Sequence, residues 1–313
     1  MINSTLIKNA FERISGYISH TPLIESIPLS KLSGASVYLK CENYQLTGSF
    51  KIRGACNKLL SYQEMPSRII AASTGNHGKA ISYLCSKLKC HAQIYVPKNV
   101  SPIKKQGIQN YGAEIIEVSG ASLEAEMMAQ KDAQLQNIPF IHPYNDEKII
   151  AGQGTIGVEI AMQGELPDAV FIAVGGGGLL SGIASYLKSI KPDIEIVGCW
   201  PENSAAMYES LEANQLVESI ELPTLSDGTA GGIVPNAITY PLCKQFIGTK
   251  ILVNEEEIAS AMRLILQQEQ MVIEGAAGVA VAGFLKIVNQ YQGRKVSIIL
   301  CGRNVDFHDL ISS

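Results

Sequence analysis

Short apolar runs alternate with stretches of helical period along most of this chain. Runs at 37–40, 69–72, 93–96, 114–118, 169–174, 195–198 and 296–300 each have the length and content of a buried strand. Between them, 78–88, 122–136 and 179–188 carry helical spacing, and residues 1–14 place Ile7, Ala10, Phe11 and Ile14 on one helical face. Continuous apolar strands separated by helices predict parallel sheets covered on both faces, the α/β class. The expected organisation is two such units: a large domain from residues 1–60 and 145–313, with a small domain, 61–144, inserted into it.

Composition narrows the classes of function. A hydrophobic fraction of 46% with 17% charged residues describes a folded globular chain. The net charge of −4 leaves no surplus of Lys and Arg for nucleic-acid phosphates. Seven cysteines, scattered and without a CxxC pair, match neither a disulfide framework nor a structural zinc site. The N-terminal helix lacks the apolar stretch of a secretory signal and no apolar run reaches membrane-spanning length, so a cytoplasmic location is expected.

Four segments carry candidate chemistry. Lys51 stands among small and apolar residues at 47–55, and a lysine that is to form a Schiff base must lose its proton near neutrality. Desolvation or a nearby cation would lower its pKa; Arg53 could supply such charge, although two residues on along a helix it points elsewhere, and a solvated helix lysine fits the same spacing. Ser73, Thr74, Gly75, Asn76 and His77 form a strand-to-helix turn that can present backbone N–H groups to a carboxylate, or simply cap the helix through Ser73 or Thr74. Gly175, Gly176, Gly177 and Gly178, followed by Leu179, again join a strand to a helix, and unobstructed N–H groups there suit a phosphate. The spacing is neither GxGxxG nor a Walker sequence. A nucleotide in an oxidoreductase or binding protein therefore remains an alternative ligand for it. Cys301 closes the last strong strand, where it can face a ligand or act as a small core residue.

Taken in this order the segments resemble the fold-type-II pyridoxal-phosphate enzymes, the serine/threonine dehydratase and serine racemase family, whose architecture is tryptophan-synthase-β-like. SFKIRGA at 49–55 is similar to the family's Schiff-base segment, STGNHG at 73–78 to its substrate-carboxylate loop, GGGGL at 175–179 to its phosphate loop, and CGRN at 301–304 to its pyridine-nitrogen contact. HTPL at 20–23, IAGQGT at 150–155 and EGAAGV at 274–279 extend the likeness from about His20 to Asn304.

The resemblance implies pyridoxal 5'-phosphate bound covalently to Lys51, which also takes the α-proton. It implies Phe50 against the pyridine ring, Asn76 on the ring hydroxyl, and Gly175–Gly178 with Leu179 on the phosphate. Cys301 stands where relatives carry serine, and a thiol is the weaker hydrogen-bond partner for the ring nitrogen. The implied activity is an ammonia-lyase (dehydratase) reaction that turns a small hydroxy amino acid, such as L-threonine or L-serine, into a 2-oxo acid and ammonia. A homodimer is implied as well.

Three positions bear on the alternatives. Thr74 lies where serine racemases place a catalytic serine. Trp200 and Ala206 stand where racemases place cation-binding carboxylates, so no metal is expected, and Glu202 alone reads as a surface residue. Leu123 falls near an arginine of relatives that act on hydroxyaspartate, and its lack of charge favours an uncharged substrate side chain. Serine racemase, or a dehydratase of 3-hydroxyaspartate or a hydroxyectoine-derived compound, are the alternative activities.

Overall fold

The computed structural model describes residues 2–305 except 74, 99 and 121. Among the described residues nine strands form two sheets. The larger has six strands in the order β1 (Leu23–Glu25), β2 (Ser36–Lys40), β9 (Lys295–Ile299), β6 (Ala169–Ala173), β7 (Glu195–Pro201) and β8 (Thr249–Val253). The smaller is β3 (Arg68–Ala72), β4 (His91–Pro97) and β5 (Glu114–Val118), parallel throughout. It lies in the chain between β2 and β6.

Strand alternation explains how the small sheet is covered. Ile69, Ala71, Ile94 and Val96 project to one face, where they pack with Ile81 and Leu84 of α4 (Asn76–Leu88) and Ile108 of α5 (Pro102–Gln109). Ile70, Ala72 and Tyr95 project to the other, against Ala125, Ala129 and Ala133 of α6 (Ser122–Gln136). These three alanines recur every fourth residue, which gives α6 a narrow and shallow seat on the sheet. In the large sheet β6 is buried at every position, as its uninterrupted apolar run predicts.

Two strands escape the hydrophobic pattern. β1 pairs antiparallel with β2, against the all-parallel expectation. It has three residues, half-buried or exposed at a sheet edge, too few for either period to register. β8 opens on half-buried Thr249 and exposed Lys250 before Ile251, so it shows no continuous apolar run.

Beneath α3 (Lys51–Leu59) lies a cluster of buried charge. Arg53 donates from Nε to Glu42 Oε2 at 2.7 Å, from Nη1 to Glu159 Oε1 at 2.7 Å, and from Nη2 to Glu42 Oε1 and Glu159 Oε2, both at 2.8 Å. Lys40 Nζ donates to Glu159 Oε2 and to the Thr21 carbonyl, both at 2.6 Å. All four side chains are at most 1% exposed. Burial opposes the guanidinium charge, but the Glu42 and Glu159 carboxylates outweigh it and raise the Arg53 pKa. Arg53 thus points away from Lys51 and into this cluster; it does not supply a cation beside the lysine. The cluster ties α3 to β2 through Lys40 and to α7 (Glu147–Met162) through Glu159.

Removing one member leaves a buried charge unpaired, which costs far more than the pair contributes. Glu159→Ala should therefore lower the unfolding free energy by about 3–5 kcal/mol. A urea titration at neutral pH checks this, and a midpoint close to that of the parent protein would contradict it.

Candidate active site

Lys51 is the first residue of α3, and its place is fixed from the neighbouring β9. Phe50 N–H donates to the Cys301 carbonyl at 3.0 Å, and Ser49 forms an antiparallel bridge with Gly302. The lysine is carried to the carboxyl end of the large sheet, where parallel strands gather their ligands. Its Nζ donates to the Pro143 carbonyl at 3.0 Å and lies 5.4 Å from the Phe50 ring centroid. Burial lowers its pKa to about 8, against the opposing pull of Glu126, Cys301 and Glu274. Desolvation alone therefore brings the amine toward neutrality.

The 73–77 turn leaves β3 and opens α4. The helix begins at Asn76 with Gly75 at its N-cap, and among the described residues no side chain caps it. This differs from a cap by Ser73: that hydroxyl instead accepts from Gly75 N–H at 3.1 Å, inside the turn. Thr74 lies outside the described residues. The Asn76 amide is held at both ends, its Nδ2 donating to Glu274 Oε1 at 2.7 Å and its Oδ1 accepting from Asn304 Nδ2 at 2.6 Å. His77 is buried with Nε2 2.9 Å from the Ile141 carbonyl. Burial and then the Lys51 charge push its pKa down to about 3, so the neutral ring donates to that carbonyl. His77 is consequently no proton donor at neutral pH.

The glycine loop joins β6 to α8 (Gly178–Ile190). Gly177 has φ of 82°, a left-handed conformation that favours glycine. A Cβ on Gly176 would come within 2.4 Å of the Tyr144 ring, so the aromatic floor of the loop requires glycine there. The N–H groups of Gly175, Gly176 and Gly177 make no hydrogen bond among the described residues. Free donors at a helix start are what an anion needs.

Two adjoining cavities, of about 290 Å³ and about 40 Å³, connect these parts. The smaller is lined by Phe50, Lys51, Asn76, Gly175–Gly178, Leu179 and Cys301. The larger shares Lys51 and Asn76 and adds Ser73, Gly75 and His77. Every site residue expected from the sequence lines one of the two, Thr74 aside. A half-buried lysine of lowered pKa facing unpaired loop N–H groups fits the aldehyde and phosphate ends of pyridoxal phosphate. Cys301, 2% exposed, has its pKa raised by burial and then by Glu274, so it stays a neutral thiol.

Residues that sequence reasoning missed complete the walls. Glu274 is 3% exposed, and burial, followed by Asp227, raises its pKa to about 7. It accepts from Asn304 N–H at 2.9 Å as well as from Asn76. Its segment, 274–279, was visible as a motif, but nothing in the sequence gives the carboxylate a role. Glu126, His142 and Tyr144 also line or support the cleft and stand in no motif. At its mouth Lys104 of α5 and Asp227 form an ion pair.

A pyridoxal-phosphate dependent enzyme family matches residues 14–302 of the chain. An L-threonine ammonia-lyase of Thermotoga maritima is 38% identical over 310 residues, 98% of this chain and 76% of that protein. A serine racemase of Dictyostelium discoideum is 36% identical over 312 residues, 97% of this chain and 95% of that protein. The crystal structure of a pyridoxal 5'-phosphate-dependent aspartate racemase superposes with a TM-score of 0.92 at 32% identity, covering 100% of this chain and 98% of that one. Matched by that family model over nearly its whole length, the chain belongs to the pyridoxal-phosphate dependent enzymes.

Proposed function

We propose that the protein is an ammonia-lyase acting on a small hydroxy amino acid, L-threonine or L-serine: the β-hydroxyl leaves as water, and water then hydrolyses the released enamine to a 2-oxo acid and ammonia. The observation that carries this reading is the position of Lys51 between the glycine loop and the 73–77 turn. The threonine ammonia-lyase likeness over nearly the whole chain supports it.

Pyridoxal phosphate supplies, when bound, an aldehyde that condenses with an amine and a conjugated ring that draws electrons from the substrate α-carbon. Gly175–Gly178 and Leu179 would hold its phosphate, Phe50 would pack on its ring, and Asn76 would meet the ring hydroxyl. Glu274 and Asn304 orient the Asn76 amide for that contact. The backbone and side chains of Ser73, Gly75 and Asn76 would take the substrate carboxylate at the start of α4. Lys51 Nζ, displaced by the substrate amine, would take the α-proton, a task suited to an amine whose pKa lies near ambient pH. The neutral Cys301 thiol is a weak donor and would leave the ring nitrogen unprotonated. Cys301 would thereby temper the electron withdrawal that the cofactor supplies, which would favour prompt loss of the β-hydroxyl over slower chemistry.

The flanking readings are proposed with it: residues 61–144 as a domain apart from 1–60 and 145–313, and a cytoplasmic homodimer. Among the described residues no helix is long and apolar enough to cross a membrane.

A panel of hydroxy amino acids scored for oxo acid, ammonia and enantiomer tests the activity. L-threonine or L-serine should yield oxo acid and ammonia together. Enantiomer without oxo acid would replace the lyase by a racemase. Lys51→Ala should abolish the cofactor's protein-bound visible band and lower turnover at least about a thousandfold. Because only the neutral amine attacks an aldehyde, cofactor loading onto stripped protein should speed up from about pH 7 to about pH 9 and then level off, following a lysine of pKa about 8. A loading rate flat across that range would remove the neutral Lys51 amine as the controlling group.

A further inference from the structure

The cleft contains two carboxylates that the proposed reaction does not use. Asp227 is paired with Lys104. Glu126 is different. It stands on α6, its side chain 13% exposed, in the wall of the cavity that also holds Lys51 and Leu123.

Its partner is His142, whose Nε2 lies 2.9 Å from Glu126 Oε1. His142 Nδ1 accepts from Tyr144 N–H at 3.2 Å and from Asn145 N–H at 2.9 Å. Nδ1 is thus the accepting nitrogen of the ring, and Nε2 is the one that lies against Glu126. The contact is close but off-axis, and neither Nε2 nor Oε1 has a well-aligned hydrogen bond. The histidine thus steers the carboxylate without cancelling its charge. Among charged groups, Glu126 raises the Lys51 pKa most, which agrees with an uncancelled anion facing the reacting amine.

We infer that Glu126, oriented by His142, is the specificity-determining carboxylate of this cavity: it admits amino acids with uncharged side chains and turns away those carrying a second carboxylate. The inference rests on the proposed reading that the substrate amine and carboxylate are taken by Lys51 and the 73–77 turn. With those ends fixed, the α6 wall is left for the side chain. A carboxylate against the α6 wall would meet Glu126 and the uncharged Leu123; the other cations of this cavity, Lys79, Lys104 and Arg303, belong to α4, α5 and the segment after β9.

The holoenzyme tests this with two amino acids that lack a β-hydroxyl, L-alanine and L-aspartate, whose binding is followed through the cofactor's visible band. The parent enzyme should bind L-alanine more tightly, and Glu126→Gln should shift the ratio toward L-aspartate by at least about tenfold. The charge-conserving Glu126→Asp should keep the parent ratio. Equal binding of both ligands by the parent enzyme would overturn the inference without any variant. So would a ratio unmoved in Glu126→Gln, or moved equally in Glu126→Asp. Since neither ligand can lose water, these outcomes are separate from a failure of the lyase reading, which would show as a hydroxy amino acid panel without oxo acid.

Discussion

Everything at the active site hangs from the guanidinium of Arg53. It is buried without exposure, yet all three of its nitrogens find carboxylate oxygens, on Glu42 before α3 and on Glu159 in α7. Ions this deep are tolerated only when each is matched, and Lys40 completes the match by serving Glu159 from β2. The arrangement is directional in a way that apolar packing is not. A slip of α3 against α7 would strand charge, so the first turn of α3 is held in register, and Lys51 sits on that turn.

The electrostatics of the cleft follow from the same economy of water. Lys51, Glu274 and Cys301 all move toward their neutral forms because burial penalises charge. His77, which the sequence offers as part of a carboxylate-binding turn, is likewise held neutral and becomes a fixed donor to Ile141. The residues that stay charged are those with matched partners, or those that speak to the ligand.

Much of the fold was legible because its strands are buried on both faces and read as apolar runs, unbroken in β6 and interrupted only by Ser297 after Lys295 in β9. β1 and β8 were not, since a half-buried edge strand has neither a run nor a clear alternation. Within the site, backbone-driven features left marks in the sequence: the four glycines under Tyr144, and the small residues of 73–77. Side chains that act through long-range pairing left none. Arg53 sits two positions from Lys51, and only the fold reveals that it serves Glu42 and Glu159. Glu126 and His142 are 16 residues apart in the chain, in no motif, and meet only because α6 and the 142–145 turn converge.

The alanine stripe of α6 has an evolutionary implication. Ala125, Ala129 and Ala133 give this helix a smooth underside on one face of the three-stranded sheet, while the glycine loop follows β6 of the six-stranded one and Lys51 opens α3, whose Ile52, Ala55 and Leu59 pack on the opposite face of the small sheet. Positions on the outward side of α6 can therefore drift, tilting or recolouring one wall of the chamber, without disturbing the apparatus that grips the vitamin. A lineage built this way can trade one amino acid for another by changing a single helix.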